Sequence, residues 1–297
     1  MRTGKLPRRQ KGMALIIVLW LVVLLSIMAS GHARNTHIDT QLAAQQVGLA
    51  QARALADGGI QHAILELLTN SNATQRSVDG TLFSVSIGNE QVTLAIRDAT
   101  GLVDLNSAGA DLLAAAFLAG GADEMLQREL TDAILDWRDG DDLSHLNGAE
   151  DDDYKAARLS WTARDGAFET VDELKYVLGM PQELFNRVAP LLTVYSGSTR
   201  LDLDFAPPHL IAAVTGEDIG LTTPPRAGTV PDSSGDNFGS AGSGTYHIYA
   251  SATGAADATA TVEAVVRLTT GQEEPYTILE WREPSRVAVF AANEGSE

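Results

Sequence analysis

Cysteine is missing from all 297 residues, which removes disulfide frameworks, thiolate metal sites and cysteine nucleophiles together. Histidine is scarce. His32, His37, His62, His145, His209 and His247 form neither H-x-x-x-H nor H-E-x-x-H, which argues against a zinc enzyme. No G-x-S-x-G, phosphate-binding loop or dinucleotide fingerprint is present. Basic residues are few, 21 Lys and Arg against 39 Asp and Glu, giving a formal charge of −18. A chain that acidic is repelled by nucleic acid, so no nucleic-acid partner is expected. Hydrophobic residues make up 44%, enough for a globular protein with room for two domains.

The few basic residues crowd the start. Arg2, Lys5, Arg8, Arg9 and Lys11 precede Met13–Ala29, MALIIVLWLVVLLSIMA, which carries no charge. As a helix that run is about 25 Å long, close to the roughly 30 Å of a bilayer's hydrocarbon core. The positive-inside bias leaves the N-terminus cytoplasmic and sends the rest across the membrane. Three readings of this start compete. A secretory signal would be cut near Ala29-Ser30-Gly31, and a signal anchor would stay whole. A prepilin-type leader would be cut between Gly12 and Met13 by a prepilin peptidase, leaving Met13 N-methylated on a retained helix. Ile17 then stands fifth after the cut, where most pilins and pseudopilins carry Glu. A carboxylate in apolar surroundings is kept only with a partner. A subunit with no neighbour ahead of it in a fibre has no amine to offer one, so Ile17 either counts against a pilin or places the chain at a fibre tip.

From Arg34 to about Leu68 proline is absent and a helix continues, with Ile38, Leu42, Leu49 and Ala52, then Leu55, Ile60, Ile64, Leu67 and Leu68, at helical spacing. Gly58-Gly59 is an expected weak point, at about 1 kcal/mol per glycine. The period then becomes two: Phe83, Val85 and Ile87, a turn at Gly88-Asn89, and Val92, Leu94 and Ile96 predict a hairpin. Residues 245–251, 258–268 and 276–282 read as three more strands. Between the β regions lie helical signals. LVDLNS at 102–107 leads into a helix N-cap and a helix to Leu118, a second helix starts near Asp123, a third carries the box Thr170-x-x-Glu173 and stops at Gly179, and Pro181 opens a fourth. The fold class is therefore α+β. A leader (1–12), a transmembrane helix (13–31) and its continuation (32–70) precede a sheet domain (71–98 and 245–297), which is interrupted by an all-α insertion (99–221) and a Pro/Gly/Ser-rich flexible loop (222–244).

One segment could carry chemistry. Asp136, Asp139, Asp141, Asp142, Glu150, Asp151, Asp152 and Asp153 crowd a short stretch with Gly140, Asn147 and Gly148. Such density needs screening by water or a hard cation, and Ca²⁺ suits flexible oxygen ligands. The spacing is not that of an EF-hand. Asp139, Asp141, Asp142, Glu150 and Asp151 are the candidate calcium ligands, His145 is the one histidine to watch, and a solvated acidic loop is the competing reading. A paired-carboxylate hydrolase is weaker, since nothing marks one carboxylate as buried and another as exposed. Trp137, Tyr154 and Trp161 read as packing residues. The stretch FETVDELKYVLGMPQELFNRVAPLLT resembles helix-hairpin-helix repeats, but its hairpin lacks the second glycine and the basic neighbours that would grip DNA.

Taken together, Lys11-Gly12-Met13 with ALIIVLW, Ile17, LVDLNSA at 102–108, DWRDGDD at 136–142, GAEDDDY at 148–154 and FETVDELKYVLGM at 168–180 resemble the K-type minor pseudopilins of type II secretion (general secretion pathway protein K). The resemblance implies a pilin-like long helix packed on an antiparallel sheet, a large α insertion and calcium in that insertion. It also implies a non-enzymatic subunit, held in the inner membrane with its bulk in the periplasm, that caps the pseudopilus and helps initiate its assembly. Implied partners are the I- and J-type minor pseudopilins in a tip complex, the major pseudopilin, the prepilin peptidase, the inner-membrane assembly platform and membrane lipid. The alternative is a signal-anchored periplasmic calcium-binding domain or hydrolase.

Overall fold

The computed structural model describes residues 13–69, 77–216, 243–269 and 274–283, with backbone only at 13–14 and 27–39. The expected leader, including Gly12, and nearly all of the expected flexible loop lie outside the described residues.

Helix α1 (Met13–Thr69) runs unbroken. From Leu15 to Leu25 its large apolar side chains are exposed on every side, as befits a helix without a polar face. Among the described residues, no helix is long and apolar enough to cross a membrane. The helix continues through Gly58-Gly59, the expected weak point. It uses small residues to approach a sheet: Gly48, Ala52, Ala56, Gly59 and Ala63 are buried along one face together with Ile60 and Ile64. A Cβ on Gly59 would lie 2.8 Å from Val92 and 2.9 Å from Leu94. Leu42, Leu49 and Leu68, at helical spacing in the sequence, are exposed, because close approach to the sheet favours small side chains over large ones.

The sheet begins with β1 (Phe83–Ile87) and β2 (Glu90–Asp98), joined by the turn at Gly88, whose φ is +64°. The chain then leaves the sheet and passes through β3 (Val103–Asp104), α2 (Ala110–Ala119), α3 (Glu124–Arg138), α4 (Asp151–Ala156), α5 (Gln182–Val188), β4 (Leu192–Thr193) and α6 (Pro208–Thr215). It returns as β5 (Thr245–Thr253), β6 (Thr259–Leu268) and β7 (Tyr276–Arg282). The five-stranded order is β1-β2-β5-β6-β7 with every neighbour antiparallel, and Asp98 faces Tyr246 where β2 ends and β5 begins. One core lies between α1 and this sheet, built on Val92, Leu94, Ile248, Ala250, Val262 and Ala264.

A second core fills the inserted region around Phe117, Leu130, Ile134, Trp137, Tyr154 and Phe168. The insertion is not wholly α, because β3 and β4 pair in parallel. Asp104 closes that junction: its Oδ1 accepts the N–H groups of Asn106 and Ser107 at 2.9 and 3.0 Å, and its Oδ2 accepts that of Gly197 at 2.9 Å. The helix N-cap expected directly after 102–107 falls later than this, and Asn106 has another task. It exchanges hydrogen bonds with the Phe168 backbone at 2.9 and 2.7 Å, and α2 starts later, behind Gly109. The box Thr170–Glu173 opens a 3-10 turn, Val171–Tyr176, where a third helix was expected.

The inserted region meets the far face of the sheet through polar groups. Thr193 Oγ1 lies 3.1 Å from His247 Nε2, Tyr195 donates to Glu280 at 3.0 Å, and Arg282 pairs with Glu263 at 2.9 Å and reaches Asp172 at 3.8 Å. Burial opposes ionisation of Glu263, but His247 and Arg282 outweigh it and hold the carboxyl below its usual range.

Candidate metal centre

Two helix ends bring the acids together. The apolar face of α3, with Leu130, Ala133, Ile134 and Trp137 buried, drives its last turn into the core. That turn carries Asp136 inward to complete burial, while Asp139 caps the helix. Past the loop, α4 begins with Glu150 as its N-cap and Asp151, Asp152 and Asp153 in its first turn, where acids favour the helix dipole. Asp153 accepts the Glu150 N–H at 3.0 Å. Part of the acidic run is thus a helix start, with Tyr154 as its buried anchor against Trp137, ring centroids 5.9 Å apart. Trp161, by contrast, is 38% exposed and packs edge-on to Tyr176.

Asp136 is the hub. It accepts the His145 N–H at 3.1 Å and pairs with the His145 ring through Nδ1. Gly148 lies so close that a Cβ there would overlap Asp136 Oδ2, so only glycine fits. Asp136, Asp139 and His145 each bring a ligand atom within 4.8 Å of the others. The hydrogen bond to Asp136 raises the His145 pKa.

The remaining carboxylates show what the cluster lacks. Asp139 Oδ1, Glu150 Oε1 and Asp151 Oδ1 are buried side-chain oxygens with no hydrogen-bond partner among the described residues. Burial, then the charges of Asp136, Asp139, Asp165 and Asp142, pushes Glu150 up to about 7. Burial, with Asp141 and Asp136 behind it, raises Asp139 as well. Of the five expected ligands, then, Asp139, Glu150 and Asp151 aim unpartnered oxygens into the fold. Asp141 and Asp142 are exposed on the loop, and Asp141 is turned to the Leu143 N–H at 2.9 Å. Asp136 was not among the expected ligands. Its signal was its place in the helical register of α3, one residue before Trp137.

A family model described as type II secretion system, protein K matches residues 93–197, and one described as PilX N-terminal matches 11–61. Similar proteins include the type II secretion system protein K of Klebsiella pneumoniae, 28% identical over 64% of this chain and 64% of that protein. The protein K of Pseudomonas aeruginosa is 25% identical over 72% of this chain and 70% of its own length. The match thus spans just under two thirds of the Klebsiella relative. Among solved structures, a chain of the GspK-GspI-GspJ complex from the enterotoxigenic Escherichia coli type 2 secretion system superposes with a TM-score of 0.52 at 14% identity, covering 87% of this chain and 99% of that one. That likeness extends to the mixed arrangement of helices and antiparallel sheet. The chain is thus similar to the protein K family of type II secretion, most directly over residues 93–197.

Proposed function

We propose that this chain is a minor pseudopilin that caps the periplasmic pseudopilus and helps initiate its assembly from the inner membrane. The observation that carries the reading is α1 itself, an all-round apolar helix that turns small-faced and packs under an antiparallel sheet. The apolar run Leu15–Leu25 supports an anchoring role for the start of α1, although no described helix meets the length and apolarity of a membrane span, and the small-residue face supports a stalk. The inserted region provides the bulk expected of a cap. The relative solved with GspI and GspJ supports I- and J-type minor pseudopilins as partners. The major pseudopilin, the prepilin peptidase and the assembly platform follow from the same role. Intact-mass analysis of membrane-extracted protein should find Met1–Gly12 removed and Met13 N-methylated. A cut beyond Ala29, or an untouched N-terminus, sinks this reading.

Calcium binding at the α3–α4 junction is the second element of the proposal, and the three unpartnered carboxylate oxygens favour it. The donor types suit a hard cation: Asp136 and Asp139, which converge with His145, and Glu150 and Asp151 at the start of α4 would offer it carboxylate oxygens. Bound there, calcium supplies positive charge that holds the ends of α3 and α4 together; its role is structural.

A further inference from the structure

The loop between α3 and α4 displays two leucines more openly than any other large apolar side chain among the described residues: Leu146 is 96% exposed and Leu143 77%. One exposed leucine means little. These two differ because the backbone beneath them is fixed. Asp136 accepts the His145 N–H at 3.1 Å, Asp132 accepts the Asn147 N–H at 3.0 Å and its side-chain amide at 2.9 Å, and the Leu143 N–H is held by Asp141. A slack loop could fold its leucines onto nearby apolar surface, whereas this one holds them in solvent. Acids stand beside both, with Asp141 bonded at Leu143, Asp132 bonded just after Leu146, and Asp142 exposed next to Leu143.

We propose that Leu143 and Leu146 form a two-point docking loop for a protein surface whose apolar pocket is rimmed by Lys or Arg. The charges select this occupant. An acidic rim calls for a cationic one, and it opposes both an anionic lipid surface and a second copy of this acidic chain. The inference rests on the secretion role proposed above.

The test places Leu143→Ser and Leu146→Ser together in the full chain, in a host strain lacking its own copy. Met125→Ser, 71% exposed on α3, is the control. The double variant should secrete roughly tenfold less, the loss of an interface anchor, with an unchanged melting temperature, while Met125→Ser secretes normally. A photo-cross-linker at position 146 should give a protein adduct that weakens as ionic strength rises and disappears with Leu143→Ser. Normal secretion by the double variant overturns the proposal. So does leucine-dependent flotation of the purified chain with vesicles of phosphatidylglycerol and phosphatidylethanolamine. If the wild-type chain fails to restore secretion, the secretion role is what fails, and the salt-sensitive adduct still decides for or against the loop.

Discussion

Glu150 concentrates the energetic problem of the acidic site in one side chain. Its unfolded carboxyl ionises near 4.5, while the folded one resists until about 7. Between those values the folded state holds the extra proton, so stability falls as pH rises, by on the order of 3 kcal/mol in full. His145 acts in the same direction. Its pKa is raised on folding, so its contribution is complete below 6.5 and is lost as pH climbs through the folded value. In chelator the protein should therefore melt at a higher temperature at pH 5 than at pH 8, and Glu150→Gln should flatten the difference. Millimolar Ca²⁺ should raise the pH 8 melting temperature, by about 2.7 kcal/mol of added stability at a hundredfold excess over Kd, with Mg²⁺ less effective. Equal curves in Ca²⁺ and chelator at matched ionic strength count against the metal. The acid density was legible in sequence because composition alone displays it. That Asp136 turns inward while Asp141 and Asp142 turn outward was not, because direction depends on where α3 ends and α4 begins. The start of α4 was hidden by its own acids, since Asp151–Asp153 read equally as a loop and as a dipole-favoured first turn.

At the scale of elements, the paired glycines of α1 separate propensity from packing. Gly58 has room: a Cβ would meet Ile87 at 3.5 Å, an ordinary contact. Gly58→Ala should therefore stabilise by up to about 1 kcal/mol, the usual helical gain over glycine. Gly59→Ala makes the same local gain but drives a Cβ into Val92 and Leu94, and should destabilise by about 1–3 kcal/mol net. Urea titrations of the two variants decide the matter, and like-signed shifts would refute the close-approach account. The strands were the most legible elements, because alternation such as Val92, Leu94, Ile96 survives any tertiary context that buries one face. The expected run 258–268 is observed as Thr259–Leu268. On α1, Ile60 and Ile64 were legible as core, whereas Gly48, Ala56, Gly59 and Ala63 were not, because a helix lying flat on a sheet selects small residues, which a search for large apolar ones passes over. Likewise β3 and β4 are two residues each and pair across almost ninety positions, which no local pattern announces.

For the molecule as a whole, charge pairs and hydrogen bonds tie the inserted region to the sheet. Arg282 joins Glu263 and Glu280 of the sheet to Asp172 of the insertion. Arg282→Met should cost about 1–3 kcal/mol, less than a fully buried pair because the arginine is partly exposed, and should leave Glu263 buried without its cation. Adding Glu263→Gln should recover part of that loss, so a double-mutant cycle with strictly additive effects would rule the pairing out.

The pairing of Asp98 with Tyr246 places both roots of the insertion on adjacent antiparallel strands, side by side at one end of the sheet. A body hung in this way answers differently to the two directions of load. Traction on it opens β2 from β5 starting at that end, one pair of hydrogen bonds after another, as a zipper opens. Pressure of the inserted region onto the sheet would instead fall on the layer formed by Thr193, His247, Glu263 and Arg282, where several contacts share the force.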